Sequence, residues 1–280
     1  KRYGYEPQQV LDTAQKLYEE KLTSYPRSDA EYLPVSQHKD APKILGNLAA
    51  LDGSELSAWA READAKQKSR AWNDAKISAH HAIIPTTVPV NLARLSEMER
   101  NIYGLIARAY IAQFHPNYVY DQTKVEVTYH GELFAASGRT ERAAGWRAMY
   151  RTGKSETEDA EKEDEESAVL PPMKKGDAAN YVSADLSTRQ TKPPSRFTPA
   201  TLLQGMKEIH KYVKDEAAKK MLRDVSGIGT EATRASIIED LIRRKFLNAA
   251  GKKKVLTPTA EAYLLIDALP DTMTYPDATA

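Results

Sequence analysis

The chain has 280 residues, 41% hydrophobic and 28% charged, with 40 Lys and Arg against 39 Asp and Glu. That suits about two domains or three small ones, each with its own core, and no apolar run approaches the roughly 20 residues a bilayer crossing needs. With no cysteine there is no disulfide, thiol nucleophile or thiolate zinc site, which fits a reducing cytoplasm, and the start at Lys1, without methionine or leader, reads as an interior piece of a longer polypeptide.

In chain order, Gln8 to Leu22 places Val10, Leu11, Ala14, Leu17 and Tyr18 on one face of an amphipathic helix. The turn Leu22-Thr23-Ser24-Tyr25-Pro26-Arg27-Ser28-Asp29 follows, and Pro26 holds Tyr25 out of helical geometry. Helical spacing returns at Ala41 to Leu51 and Glu55 to Ala63. Ser96 and Glu99 then form a capping box that opens a helix running to about Phe114.

Alternation replaces this spacing at Thr123 to Tyr129, which turns at His130-Gly131 and returns through Glu132 to Ala135 as a hairpin. Weaker strand signals lie at Ala144 to Met149, Ala168 to Leu170 and Ala179 to Ala184. Between them, eight of the eleven residues from Glu156 to Glu166 are acidic and read as a loop. Helical spacing resumes at Thr198 to Tyr212, Glu216 to Asp224, Thr230 to Lys245 and Pro258 to Leu269, with a basic turn, Gly251-Lys252-Lys253-Lys254, before the last. Lys192 to Lys254 carries fifteen Lys or Arg against seven Asp or Glu, an excess that suits a polyanion. Helix, basic turn and helix also suit a winged-helix reader of duplex DNA.

Three motifs carry candidate chemistry. A phenol at Tyr25 is able to attack a phosphodiester and hold the broken strand covalently, and the Arg27 guanidinium to grip the same phosphate with two hydrogen bonds. In Ala79-His80-His81-Ala82-Ile83-Ile84-Pro85-Thr86 the adjacent histidines point in different directions, which disfavours a shared metal and leaves a phosphate-bonding histidine as the stronger reading. In Gly227-Ile228-Gly229-Thr230-Glu231-Ala232-Thr233-Arg234, two glycines and a capping threonine at a helix start resemble an anion-binding terminus but lack the Gly-Lys-Ser/Thr ending of a nucleotide P-loop. Each has a structural alternative: a packing tyrosine, a core histidine, a helix–helix corner.

These motifs, in this order with Lys192-Pro193-Pro194-Ser195-Arg196-Phe197-Thr198-Pro199-Ala200-Thr201-Leu202-Leu203, closely resemble bacterial type IA DNA topoisomerases in their topoisomerase III branch, from about Tyr3 to the end. The resemblance implies an α+β multidomain chain forming part of the type IA ring. A helical gate domain with the tyrosine would span about 1–103. A β-rich arch, with the acidic loop at 154–167, would span 104–191, and a helical base domain with winged-helix-like features 192–280. It implies that Tyr25 forms a 5′-phosphotyrosine on single-stranded DNA, with Arg27 and His80 on the scissile phosphate. Arg196, Gly229, Thr230, Glu231, Thr233 and Arg234 would contact DNA. It further implies a cytoplasmic monomer without membrane association, and strand passage without ATP. Mg²⁺ ligands and the glutamate acid–base would lie in an N-terminal Toprim domain absent here, so no metal site is expected in this chain and the piece alone should be inactive. The competing reading is a non-catalytic winged-helix DNA-binding module. A metal-dependent relaxase is disfavoured because its two histidines flank one apolar residue, whereas His80 and His81 are adjacent.

Overall fold

A computed structural model of the chain describes residues 2–51, 53–77, 79–151, 170–171, 173–178, 180–183, 185–188, 190–191, 193–225 and 227–276. The first helix, α1 (Pro7–Glu19), starts on a proline at its first turn. It ends where Lys21 takes a left-handed φ of 62°. There the Leu22 amide bonds back to the Leu17 carbonyl (2.9 Å) and Lys21 to Tyr18 (2.8 Å), a Schellman stop sealed by two buried leucines. Helices α2 (Ala41–Ala49) and α3 (Glu55–Glu62) pack on each other, and α4 (Glu97–Ile111) packs against α1 and α3. The expected capping box holds: the Ser96 hydroxyl accepts from the Glu99 amide and the Glu99 carboxylate from the Ser96 amide (2.7 Å).

The resulting core joins Leu17, Leu48, Tyr103, Ala107, Ile111 and Phe114. It therefore runs past the expected border at 103 and captures Met149, which is 1% exposed. That capture corrects the strand expected at Ala144 to Met149, where the chain forms a 3₁₀ helix, Gly145–Tyr150. Gly145 adopts φ 48° with its backbone so close to Pro116 that a Cβ would lie 2.3 Å from the Pro116 carbonyl oxygen, and Trp146 donates to that carbonyl (2.9 Å). A strand would need an extended backbone, and the left-handed Gly145 and the 3₁₀ turn exclude one here.

Strands β1 (Val119–Tyr129) and β2 (Glu132–Ala143) form an antiparallel hairpin through the left-handed His130 and Gly131 turn. It is longer than the alternating residues suggested and almost wholly exposed, with Leu133 and Phe134 in the open. Among the described residues it is the only strand pairing between 104 and 191. Residues 180–183 are not a strand, and the acidic run, with most of the signal at 168–170, lies outside the described residues.

The last region contains α5 (Pro199–Lys207), α6 (Glu216–Asp224), α7 (Arg234–Arg243), β3 (Leu247–Ala250), β4 (Val255–Pro258) and α8 (Ala260–Ala268). The basic turn caps a short β3–β4 hairpin, a wing in place of a plain loop between helices. The core here is small, built on Val213, Leu222, Ala235, Ile238 and Leu256. The first and last regions meet where α1 touches α5 and α7, closed at one edge by a Glu6–Lys254 ion pair. Between them lies a cleft of about 360 Å³ walled by Pro7 and Gln8 on one side and by Pro199, Ala235 and Ile238 on the other.

Candidate active site and nucleic-acid interface

Two segments far apart in sequence are sewn together along the end of α1. The Thr86 amide donates to the Leu22 carbonyl (3.1 Å), the Ser24 amide to Ile84 (2.9 Å), and Thr23 bridges Pro85 in antiparallel sense. The Ser24 hydroxyl accepts from the Ile84 amide (2.9 Å) and donates to the Ala82 carbonyl (3.3 Å). Ser28 donates to the His81 carbonyl (2.8 Å), and the Ala82 amide to Tyr32 (2.9 Å). Tyr25, Arg27 and His80 are thus held by backbone groups on either side of them.

The Tyr25 ring lies 4.9 Å from the His80 ring, centroid to centroid, tilted by 38°, and Tyr18 meets it edge-on at 5.6 Å. Tyr25 is half-buried, while Arg27 and His80 are exposed. Arg27 makes no hydrogen bond or ion pair among the described residues. His81 is committed to the scaffold: its Nδ1 can only donate to the Ala82 carbonyl (2.7 Å), so Nε2 accepts from the Gln37 amide (3.1 Å). Of the two histidines, the one free to meet a ligand is the one whose ring lies against the tyrosine. Three other phenols are poorer candidates. Burial pushes the hydroxyls of Tyr103, Tyr110 and Tyr150 above the usual range, which disfavours the phenolate.

The second cluster is the loop that opens α7. Gly227 sits at φ 91° with its amide on the Leu222 carbonyl (2.7 Å), and Ile228 donates to Met206 at the end of α5 (3.1 Å). The Thr233 hydroxyl accepts from the Thr230 amide (2.9 Å) and lies 3.0 Å from the Thr230 hydroxyl. Gly229, Thr230 and Thr233 are exposed. Arg234 is not: it is 2% exposed, its guanidinium donating to the Ile228 carbonyl (2.9 Å), the Gly229 carbonyl (3.0 Å) and the Glu231 carboxylate (2.7 Å). Glu231 also faces Lys207 at 3.8 Å. Arg196 is exposed just before the Thr198 cap of α5. Sequence reasoning missed Tyr18 as a ring against Tyr25 and Ser24 as the link to residues 82–84. Tyr18 was visible only as a member of the α1 apolar face.

Among the described residues no group of three or more His, Asp or Glu is placed to hold a metal ion. The described residues therefore offer no such group, and the Mg²⁺ ligands that the resemblance implies would lie in a domain outside this chain. No helix among them is long and apolar enough to cross a membrane.

A family model described as DNA topoisomerase matches residues 1–280. The chain is 41% identical over its whole length to DNA topoisomerase 3 of Vibrio cholerae and to that of Haemophilus influenzae, covering 42% of each. It is 36% identical to DNA topoisomerase 3 of Bacillus subtilis, covering 38% of it. The chain thus spans about two fifths of the length of these curated relatives. With a match from its first residue to its last, the chain belongs to the DNA topoisomerase family.

Proposed function

We propose that this chain is the tyrosine-bearing part of a type IA DNA topoisomerase of the topoisomerase III branch, which cuts one DNA strand, passes another and reseals the first without ATP. The observation that carries the reading is the contact between the Tyr25 and His80 rings, fixed by the stitching of residues 81–86 along residues 21–32. The Tyr25 oxygen attacks phosphorus in single-stranded DNA. An oxygen–phosphorus bond forms, the bond to the 3′-oxygen breaks, the phenol loses a proton and the 3′-oxygen gains one. A phenol free in water is only about one part in a thousand phenolate at neutral pH, so attack needs a positive field beside it. Arg27 supplies that field and neutralises the crowded non-bridging oxygens, and His80 offers a further hydrogen bond. One phosphodiester replaces another at little net energy, which is why resealing needs no nucleotide.

Residues 1–103, extended by the core to Phe114 and Met149, act as the gate; the exposed hairpin belongs to the arch, and 192–280 to the base. The enzyme works as a monomer, and its Mg²⁺ and acid–base glutamate are supplied by an N-terminal Toprim domain outside this chain. The test uses the full-length protein with Mg²⁺ and end-labelled single-stranded DNA, trapping protein-linked 5′ ends with denaturant. Tyr25→Phe should abolish the adduct with the melting temperature unchanged. An adduct that survives Tyr25→Phe overturns the assignment. A preference for duplex with no adduct supports the winged-helix module, which the β3–β4 wing favours.

A further inference from the structure

We infer that Arg234, with Glu231, is a positioning residue: it holds the shape of the loop at the start of α7 and does not itself touch DNA. This rests on the reading that the loop meets single-stranded DNA.

A guanidinium with 2% exposure and three donors already placed on Ile228, Gly229 and Glu231 would have to abandon all three to reach a phosphate. Its bonds instead decide which way the loop's own groups point. In a trans peptide the carbonyl of one residue and the amide of the next face opposite ways. Drawing the Ile228 carbonyl inward therefore turns the Gly229 amide outward, where it makes no hydrogen bond among the described residues. Gly229 also fits against the arginine stem, since a Cβ there would stand 3.2 Å from the Arg234 Cγ.

Glu231 is otherwise hard to explain in a segment meant for a polyanion. Its carboxylate lies between Arg234 at 2.7 Å and Lys207 at 3.8 Å, so its charge is met by the protein's own cations and the buried guanidinium has its counter-ion. The surface left to a ligand is the Gly229 amide with the exposed Thr230 and Thr233. This is a neutral donor set that recognises phosphate by geometry, with Arg196 a separate exposed cation of the same region.

Charge-conserving and charge-removing variants of the chain separate the two roles, read as affinity for a single-stranded oligonucleotide across a salt series. Arg234→Lys keeps the charge and loses the fork. Positioning predicts about tenfold weaker binding, the scale of one lost charged hydrogen bond, whereas a phosphate contact made through charge alone predicts near-normal affinity. Arg234→Gln should leave the slope of log K against log salt unchanged, while Arg196→Ala should reduce it by about 0.7, the value for one phosphate contact on a single strand. Glu231→Gln should weaken binding; if the carboxylate merely repelled DNA, its removal would tighten it. Hydrogen exchange supplies an arm that needs no DNA: the Ile228, Thr230 and Thr233 amides should exchange faster in Arg234→Lys and Glu231→Gln while the helix amides hold. Normal affinity in Arg234→Lys, a slope reduced by about 0.7 in Arg234→Gln, or unchanged exchange in both loop variants overturns the inference. A wild-type chain that binds no single strand refutes the DNA reading instead, and exchange alone then decides whether the strut is real.

Discussion

Arg27 and Arg234 stand in motifs that look alike on paper, each a basic residue directly after a proline or a threonine. Folding gives them opposite work. Around Arg27 the backbone is fixed by other groups, the Ser24 and Ser28 hydroxyls and the strip at 81–86, so the guanidinium is left exposed. Around Arg234 the guanidinium is itself the fixing group and is consumed by the loop's carbonyls. An arginine offers its charge to a ligand only where something else supplies the local hydrogen bonds, and burial separates the two cases.

The largest effect that tests this contrast is at Arg27. Removing one preorganised donor from a developing charge costs about 10²–10³ in rate. Arg27→Ala should therefore slow covalent cleavage by roughly that factor while changing single-strand affinity less than about tenfold. Single-turnover cleavage beside equilibrium binding measures both. Equal losses would make Arg27 a binding residue, and no loss would break the comparison.

A smaller effect is expected in the second region, from a residue that carries no charge. Gly227 holds φ 91°, and a Cβ there would lie 2.3 Å from the Met206 carbonyl oxygen and 2.5 Å from that of Lys207. Gly227→Ala combines left-handed strain with a backbone clash, about 1–3 kcal/mol. The loop should lift from α5 and lose DNA affinity along with stability. If only stability falls, measured by denaturant unfolding beside binding, the loop's seat on α5 is not what presents it.

Much of the first region was legible because its signals are local. The α1 apolar face, the Ser96–Glu99 capping box and the effect of Pro26 on Tyr25 all act within a few residues. What brings Tyr25 to His80 is not local: Ser24 and Ile84 are 60 positions apart, and nothing in either stretch names the other. The burial of Arg234 was equally hidden, because an arginine at a helix start has the same letter whether it faces water or carbonyls. Ala144 to Met149 misled because alternating apolar residues fit a strand, while the deciding facts were a left-handed Gly145 and a core with room for Met149. The β3–β4 wing escaped because four-residue strands carry almost no period.

The smallest effect concerns what anchors each region. The helix leading to Tyr25 is tied to α4 by an ion pair between Lys16, whose side chain is 59% exposed, and Glu99, whose side chain is 6% exposed. The Arg234–Glu231 pair is buried at its arginine end. A hydrogen bond from Lys16, then one from the Ser96 amide, holds the Glu99 carboxyl below its ordinary value of 4.5. Glu99 therefore adds stability that is fully present above about pH 4.5 and is lost as the pH falls through its lower folded value. The same bond raises Lys16 above 10.5, so its contribution is complete below that pH and is lost as the pH rises through the raised value. Because Lys16 is open to solvent and salt, Glu99→Gln should flatten the acid limb of a melting-temperature profile by only about 2 °C, and added salt should shrink the difference. Hydrogen exchange in the loop at 227–233 should not respond to salt in the same way, because its pair is shielded. If salt loosens both regions equally, the two anchors are alike and the contrast between them fails.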